Sequence, residues 1–472
     1  MENTERTVRR RRPNPRRKLY RKIRRLARKY APLAIIALIL ILFISFVVGS
    51  VKRGDQRREE QRQESLVAQQ QQQQQQILWN QEVTELLYKA EALAAAYDYD
   101  GAIAMLDTFT GNMEDYNALM VTRDRYVQTK ETMVPWNNPS QIPNLSFHML
   151  VAEAYRTFNN SGYGKSWKWN FVTTTEFSKI LQQLYDNGYV LVDMDDVIVA
   201  NKTAEGINYE VNTLYLPEGK KPIMLTQTQV NYYTYMVDGD GDGLADKKGG
   251  GFASKLILDN GKLTNEMVTK DGATLRGSYD FVPILEEFIE QHPDFSYRGA
   301  RAVLAVSGYD GLFGYRTNPS AEKKLGTEYY QKELAELPAV LEALREKGYT
   351  FACYTYDNLT YGDITVDQLK EDLRKWKEEV TPLLGEVEYL VYAKNSDIAN
   401  GTGLYSGEKY ELLKAAGFQY YLGFCESNSP WFVRTNEYIR QGRIMVTGNS
   451  LEKYPKMFEG LFDTVSVLDS NR

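Results

Sequence analysis

From residue 177 to residue 424 the chain returns repeatedly to one unit: an amphipathic helix, a glycine and a short apolar strand. Phe177, Ile180, Leu181 and Leu184 fall on one helical face, Gly188 follows, and residues 189–192 are apolar and β-prone. The unit recurs as 334–347, Gly348 and 349–354, and again as 408–416, Gly417 and 418–424. A further copy sets Leu369, Leu373, Trp376 and Val380 on a helix ahead of 387–392. A glycine after the helix supplies the left-handed cap from which the chain turns into a strand. This alternation implies an α/β fold with a parallel sheet covered by helices, open or closed into a barrel. Side chains that meet a ligand are then expected at the C-terminal ends of the strands.

The N-terminal part follows other rules. The 472-residue chain has a net charge of -5, yet residues 1–30 hold fourteen of its 57 Lys and Arg and two of its 62 Asp and Glu. No charge stands between Lys29 and Lys52, and 31–48 is almost wholly Leu, Ile, Val, Phe and Ala. As a helix that stretch covers roughly 30 Å, the depth of a bilayer's hydrocarbon core. We therefore read 1–30 as a basic cytoplasmic tail and 31–51 as a transmembrane signal anchor in the cell membrane, with the large domain extracellular. A cleaved signal peptide fits less well, because Val48, Gly49 and Ser50 make a poor cleavage site. Arginine runs at 9–12 and 16–17 also suit a nucleic-acid arm, but before an apolar span they serve topology and lipid headgroups, and no nucleic-acid partner is expected.

Residues 52–80 form a Gln-rich stalk, glutamine-only from 69 to 76, with no apolar face to bury. In 81–134, Val83, Leu86, Leu87, Ala90 and Leu93 take up helical spacing. The segment is similar to one tetratricopeptide-type hairpin, a spacer or a docking module for a protein partner. With Cys353 and Cys425 alone, the exterior part is not a disulfide scaffold, and the two either pair or sit as small core residues.

Particular segments carry more. They are Phe147-His148-Met149-Leu150, the stretch 216–225, Val230-Asn231-Tyr232-Tyr233, the stretch 292–299 and Gly314-Tyr315-Arg316-Thr317. On them, residues 145–470 resemble the polysaccharide deacetylase (NodB homology) family, in its membrane-anchored bacterial cell-surface form. The resemblance implies a distorted (β/α) barrel with fewer than eight strands. It also implies a divalent metal, usually zinc, held by one Asp and two His beside a second Asp that acts as base. The motif T/S-F-D-D reads Thr226-Gln227-Thr228-Gln229 here, with Thr228 in the base position and Gln229 in the ligand position. The motif S/T-H-x-x-x-H reads 353–358, with Tyr354 and Asn358 in place of both imidazoles. The usual Y-P-F-G reads Tyr392-Ala393-Lys394-Asn395, and no histidine follows His292. Hydroxyl, phenol and amides make a poor transition-metal donor set, so the zinc site and its catalysis are expected to be lost.

Other acidic and aromatic groups stand beside these. Asp195 and Asp196 fit a helix cap better than a catalytic pair, and His148 and His292 read as structural. Asp238, Asp240, Asp242 and Asp246, with Gly243 at the sharp turn, reproduce the first part of an EF-hand-type calcium loop, although Gly249 stands where a bidentate carboxylate is needed. The anchor, stalk and Asp-x-Asp also describe many glycosyltransferases, but the segments above fit deacetylases. Aromatic rings with polar edges suit stacking on sugars, and Tyr232, Tyr309, Tyr356 and Trp431, with Asp357, are the candidate ligand contacts. Three readings follow: a degenerate deacetylase-like protein binding cell-wall or other envelope polysaccharide or a partner, an active carbohydrate deacetylase with an unusual site, or a structural envelope scaffold.

Overall fold

The computed structural model describes residues 15–159, 162–203, 206–237 and 250–472, in two compact units, Met1–Thr84 and Glu85–Arg472. A helix spans Pro15–Ala95 and includes the described residues of the first unit. Its apolar stretch is exposed throughout, and among the described residues it is the one helix long and apolar enough to cross a membrane. The glutamine tract is helical, in keeping with the good helix propensity of that side chain.

In the second unit, helices Tyr99–Asp107 and Asn117–Glu131 pack with the preceding helical turns through Ala90, Ala102, Leu106, Leu119 and Tyr126. Asp98 caps the first of them by accepting from Gly101 N–H. This module is seated on the loop ahead of residue 300: Tyr97 donates to the Asp294 carbonyl at 2.8 Å and stacks on Tyr297, and Arg298 N–H donates to Ala96 at 2.8 Å.

The expected barrel is present and closed. Its strands are β1 (Asn144–Phe147), β2 (Lys221–Thr228), β3 (Val303–Val306), β4 (Thr350–Cys353), β5 (Tyr389–Val391), β6 (Tyr420–Phe424) and β7 (Ile439–Met445). Each is parallel to the next, and β7 pairs with β1 to complete the ring, with Arg443 opposite Asn144. The register Asn144 to Met224, Ser146 to Thr226 and Ala305 to Thr228 places alternate residues on opposite faces. Leu145, Phe147, Leu225, Leu304, Phe351 and Leu390 belong to the larger core, between strands and helices. Met224, Ala305, Ala352, Val391, Leu422 and Ile439 belong to the smaller core, inside the ring.

The helix–glycine–strand units are the wall of this barrel. Gly348 caps Thr327–Lys347 at φ 99° before β4, a conformation that a Cβ would strain. The unit ending in Gly188 yields a short strand, Tyr189–Leu191, that pairs with the start of β2 outside the ring. Asp193 and Asp196 form a reciprocal cap on Met194–Val197. His292 lies against Tyr185 and Phe288, and both cysteines are buried and unpaired.

The inside of the ring is unusually polar. Thr226 donates to Asn144 at 2.8 Å, Asn144 to Gln441 at 2.9 Å, and Gln441 to the Ile142 carbonyl at 3.3 Å. All three side chains are buried, so each bond satisfies a group that would otherwise be costly to desolvate.

Candidate functional site

Six of the seven strands deliver a residue at or just beyond their C-terminal ends to one cavity of about 600 Å³. They are His148 after β1, Gln229 after β2, Tyr354 after β4, Lys394 and Asn395 after β5, Phe424 of β6, and Met445 of β7. Trp169, Phe171, Tyr454 and Met457 wall the cavity, and Thr447, Asn449 and Glu426 edge it.

Backbone strain gathers around the same face. Among the described residues, eleven that are not glycine have positive φ, and eight of them follow β2 to β5: Gln229, Tyr232, Asp310, Phe313, Thr355, Asn358, Lys394 and Asn395. Three of these, Gln229 (φ 60°), Lys394 (51°) and Asn395 (60°), line the cavity itself. A side chain held in the left-handed region costs roughly 1–3 kcal/mol and persists where surrounding structure enforces it, commonly at ligand sites.

The four degenerate positions separate into an inner group and an outlier. Thr228 is buried, with its hydroxyl 2.8 Å from His148 Nδ1 and 3.2 Å from the Phe147 carbonyl. A hydroxyl that donates to Phe147 accepts from Nδ1–H, which leaves the Nε2 lone pair of His148 without that partner. Burial and the cation of Arg443 push the His148 pKa down to about 4, so the ring is neutral at ordinary pH. Tyr354 accepts from the backbone N–H of Lys394 at 3.3 Å, and Gln229 lies in the cavity wall. Asn358 turns away, donating to Tyr233 Oη at 3.3 Å, and that phenol is 3.0 Å from Ser307 Oγ.

Zinc does not fit this donor set. An imidazole engaged through Nδ1, an amide, a phenol and the exposed carboxylate of Glu426 offer no triad, and Arg443 adds a cation close to the same floor. Among the described residues, no three of His, Cys, Asp and Glu converge into a metal-binding group.

The other named residues are spread over the C-terminal face. Tyr309 is half exposed beyond β3, with its ring 5.8 Å from that of Tyr233. Tyr232 is buried and donates to Asp280 at 2.7 Å, away from the cavity. Tyr356 is buried, donates to Glu379 and accepts from Asn318 at 2.8 Å, and Asp357 pairs with Lys375 at 2.9 Å. Trp431 lies beside the Arg440 guanidinium at 5.2 Å and donates to the Phe424 carbonyl at 3.2 Å. Asp238, Asp240, Asp242 and Asp246 lie outside the described residues.

His148, read from sequence as structural, stands in the cavity wall. Its place one residue beyond Phe147, at the end of an apolar strand, was the available signal. Lys394 and Asn395 were visible only as departures from a family motif, and Phe424 and Asn449 gave no signal of their own.

No family model and no curated protein matches the chain. A solved structure of the Streptococcus pyogenes deacetylase PplD in complex with acetate is similar at 13% sequence identity and a TM-score of 0.34, over 68% of this chain and 99% of that one. The barrel described above rests on its own strand pairing and needs no support from this likeness.

Proposed function

We propose that this chain is a membrane-anchored, deacetylase-like protein whose barrel mouth binds an envelope glycan and has lost metal-dependent hydrolysis. The observation that carries the reading is the placement of Gln229, Tyr354 and the Thr228–His148 pair around a cavity walled by Trp169, Phe171 and Tyr454. Neutral amides and phenols offer the directional bonds that sugar hydroxyls and acetamides need, and aromatic faces stack on pyranose rings. The apolar helix supplies the anchor, and the basic tail ahead of it sets the N-terminus in the cytoplasm. The Asp238 to Asp246 loop is a further candidate, for weak calcium binding.

The test uses the full chain in nanodiscs with acetylated chitooligosaccharides and peptidoglycan fragments, with and without added divalent metals. Retention of glycan without acetate release is expected. Metal-stimulated release that disappears in Gln229→Ala or Thr228→Ala would overturn the loss of catalysis. No retention on any envelope polysaccharide would remove the glycan reading and leave the structural scaffold, with the helical module as its docking element.

One observation favours a second reading. His148 lines the cavity as a neutral ring with a nitrogen free to accept a proton, a weaker base than an ordinary imidazole because its pKa is pushed down to about 4. Acetate release that needs no metal and is lost in His148→Gln would establish that route.

A further inference from the structure

The charge beneath the cavity is unbalanced. Arg443 is buried on the inner side of β7, and its N–H groups donate to neutral acceptors: Ser146 Oγ at 2.9 Å and the carbonyls of Leu422 and Tyr392 at 3.3 Å each. The other fully buried cation among the described residues, Arg440, has a carboxylate partner, and so do several partly buried ones. Arg440 pairs with Asp397 at 2.8 Å, Arg472 with Glu176 at 2.6 Å, Lys255 with Glu333 at 2.6 Å and Arg301 with Glu286. Among the described residues Arg443 has no such partner. The carboxylate whose field reaches it, Asp397, is already held by Arg440. A buried cation without a counter-charge is costly, and any anion that approaches it through low-dielectric surroundings is correspondingly favoured.

The cavity lies over this guanidinium. Met445, whose sulfur is 3.5 Å from Arg443 Nη1, is part of the cavity wall, and His148 and Tyr354 both lie within the field of Arg443. Lys394 lines the same cavity, is exposed and forms no ion pair among the described residues. It is also held at φ 51° beside Asn395 at 60°, so the backbone fixes where the flexible stem of this side chain starts. His148 contributes no charge when neutral, and among the described residues Glu426 is the one acidic side chain in the wall, exposed at the rim after β6. Among the described residues, two cations against one solvated carboxylate leave the floor positive.

We propose that the barrel mouth recognises an oxyanion, a carboxylate or a phosphate carried on the sugar, with Lys394 in contact with it and Arg443 holding the floor positive beneath it. The inference rests on the glycan reading of the same cavity and narrows its ligand to acidic saccharides. The side-chain amides of Gln229 and Asn395 are placed to donate to the same group.

The experiment is calorimetric titration of the full chain, in nanodiscs of zwitterionic lipid, with three oligosaccharides of equal length: neutral N-acetylglucosamine, the same chain bearing a uronic carboxylate, and the same chain bearing a phosphate monoester. One or both charged ligands are expected to bind about tenfold more tightly than the neutral one, and the two arms identify which oxyanion is preferred. Lys394→Gln, at an exposed position that does not endanger the fold, should erase about that factor, measured as the ratio of charged to neutral ligand affinity in the same variant. Arg443→Lys, which keeps the charge, should retain the preference. Equal affinity for all three ligands overturns the oxyanion proposal and leaves the glycan reading standing. No binding of any ligand overturns both. A preference untouched by Lys394→Gln and by about 1 M salt also overturns the proposal, since an interaction with an exposed cation must be screened.

Discussion

His148 Nδ1 and Thr228 Oγ1 lie 2.8 Å apart at the ends of adjacent barrel strands, and with the Thr228 hydroxyl donating to the Phe147 carbonyl this pair sets the tautomer of the imidazole. The His148 pKa is pushed from 6.5 down to about 4, first by burial and then by the cation of Arg443. The unfolded chain therefore takes up a proton at higher pH than the folded one. The contribution of His148 to stability falls as the pH is lowered from about 6.5 to about 4, by roughly 3 kcal/mol. Denaturant unfolding across that window should show this contribution as the difference between the unmodified chain and His148→Gln, because carboxyls with raised pKa, such as that of Asp196, act in the opposite sense in both. A histidine ring signal in NMR that titrates near its ordinary value would contradict the burial argument.

Relief of strain at the rim should raise stability at the expense of binding. Asn395 sits at φ 60° in the cavity wall, and glycine adopts that conformation without a Cβ penalty. Asn395→Gly is expected to leave the protein as stable or up to about 1 kcal/mol more stable, and to weaken glycan retention by removing an amide from the mouth. Thermal unfolding and glycan retention measured on one preparation check both halves. A variant with lower stability and full retention would show that the strain has no part in the site.

The barrel was legible because its signal is local. Helix periodicity, glycine caps and short apolar strands are each set by neighbouring residues, and 334–354 and 408–424 fold as those patterns dictate. The polar interior was not legible. In β7, Ile-Arg-Gln-Gly-Arg-Ile-Met reads as a strand with a solvated face, yet all seven residues are buried, because ring closure turns one face onto Asn144 and Ser146 while the 397–403 loop and Trp431 cover Arg440. Candidate aromatics suffered the same ambiguity. Tyr232 and Tyr356 follow strands as expected, but one turns into the packing around Asp280 and the other against Glu379, and sequence gives no sign of that direction.

The pair on the outer side of β7 should be among the most sensitive positions in the domain. Arg440 Nη2 lies 2.8 Å from Asp397, donates to the carbonyl of Ala399 at 3.2 Å, and its guanidinium stacks on Tyr405 at 4.2 Å. Asp397→Asn leaves the cation buried without its counter-charge and is expected to cost about 3–5 kcal/mol. Gly442 makes the companion test, since a Cβ there would run into the indole of Trp431. Gly442→Ala should cost about 1–3 kcal/mol through overpacking. Denaturant midpoints decide both, and a neutral Asp397→Asn would show that the ion pair is solvated in solution.

The aspartate loop offers a test that is independent of the glycan site. Its flanks are pinned together, because Gly250 N–H donates to the Met236 carbonyl at 2.9 Å and Thr157 donates to Gly250. With Gly249 in place of the bidentate carboxylate, affinity should fall in the range of about 0.1–1 mM found for extracellular calcium modules. Calcium at about ten times that dissociation constant stabilises the folded chain by roughly 1.4 kcal/mol, which a thermal scan should register as a rise of a few degrees that EDTA reverses. Asp240→Asn removes one ligand charge and should abolish the rise without changing the unfolding midpoint in the absence of calcium. No shift up to about 10 mM calcium would mean that the aspartates are a solvated turn.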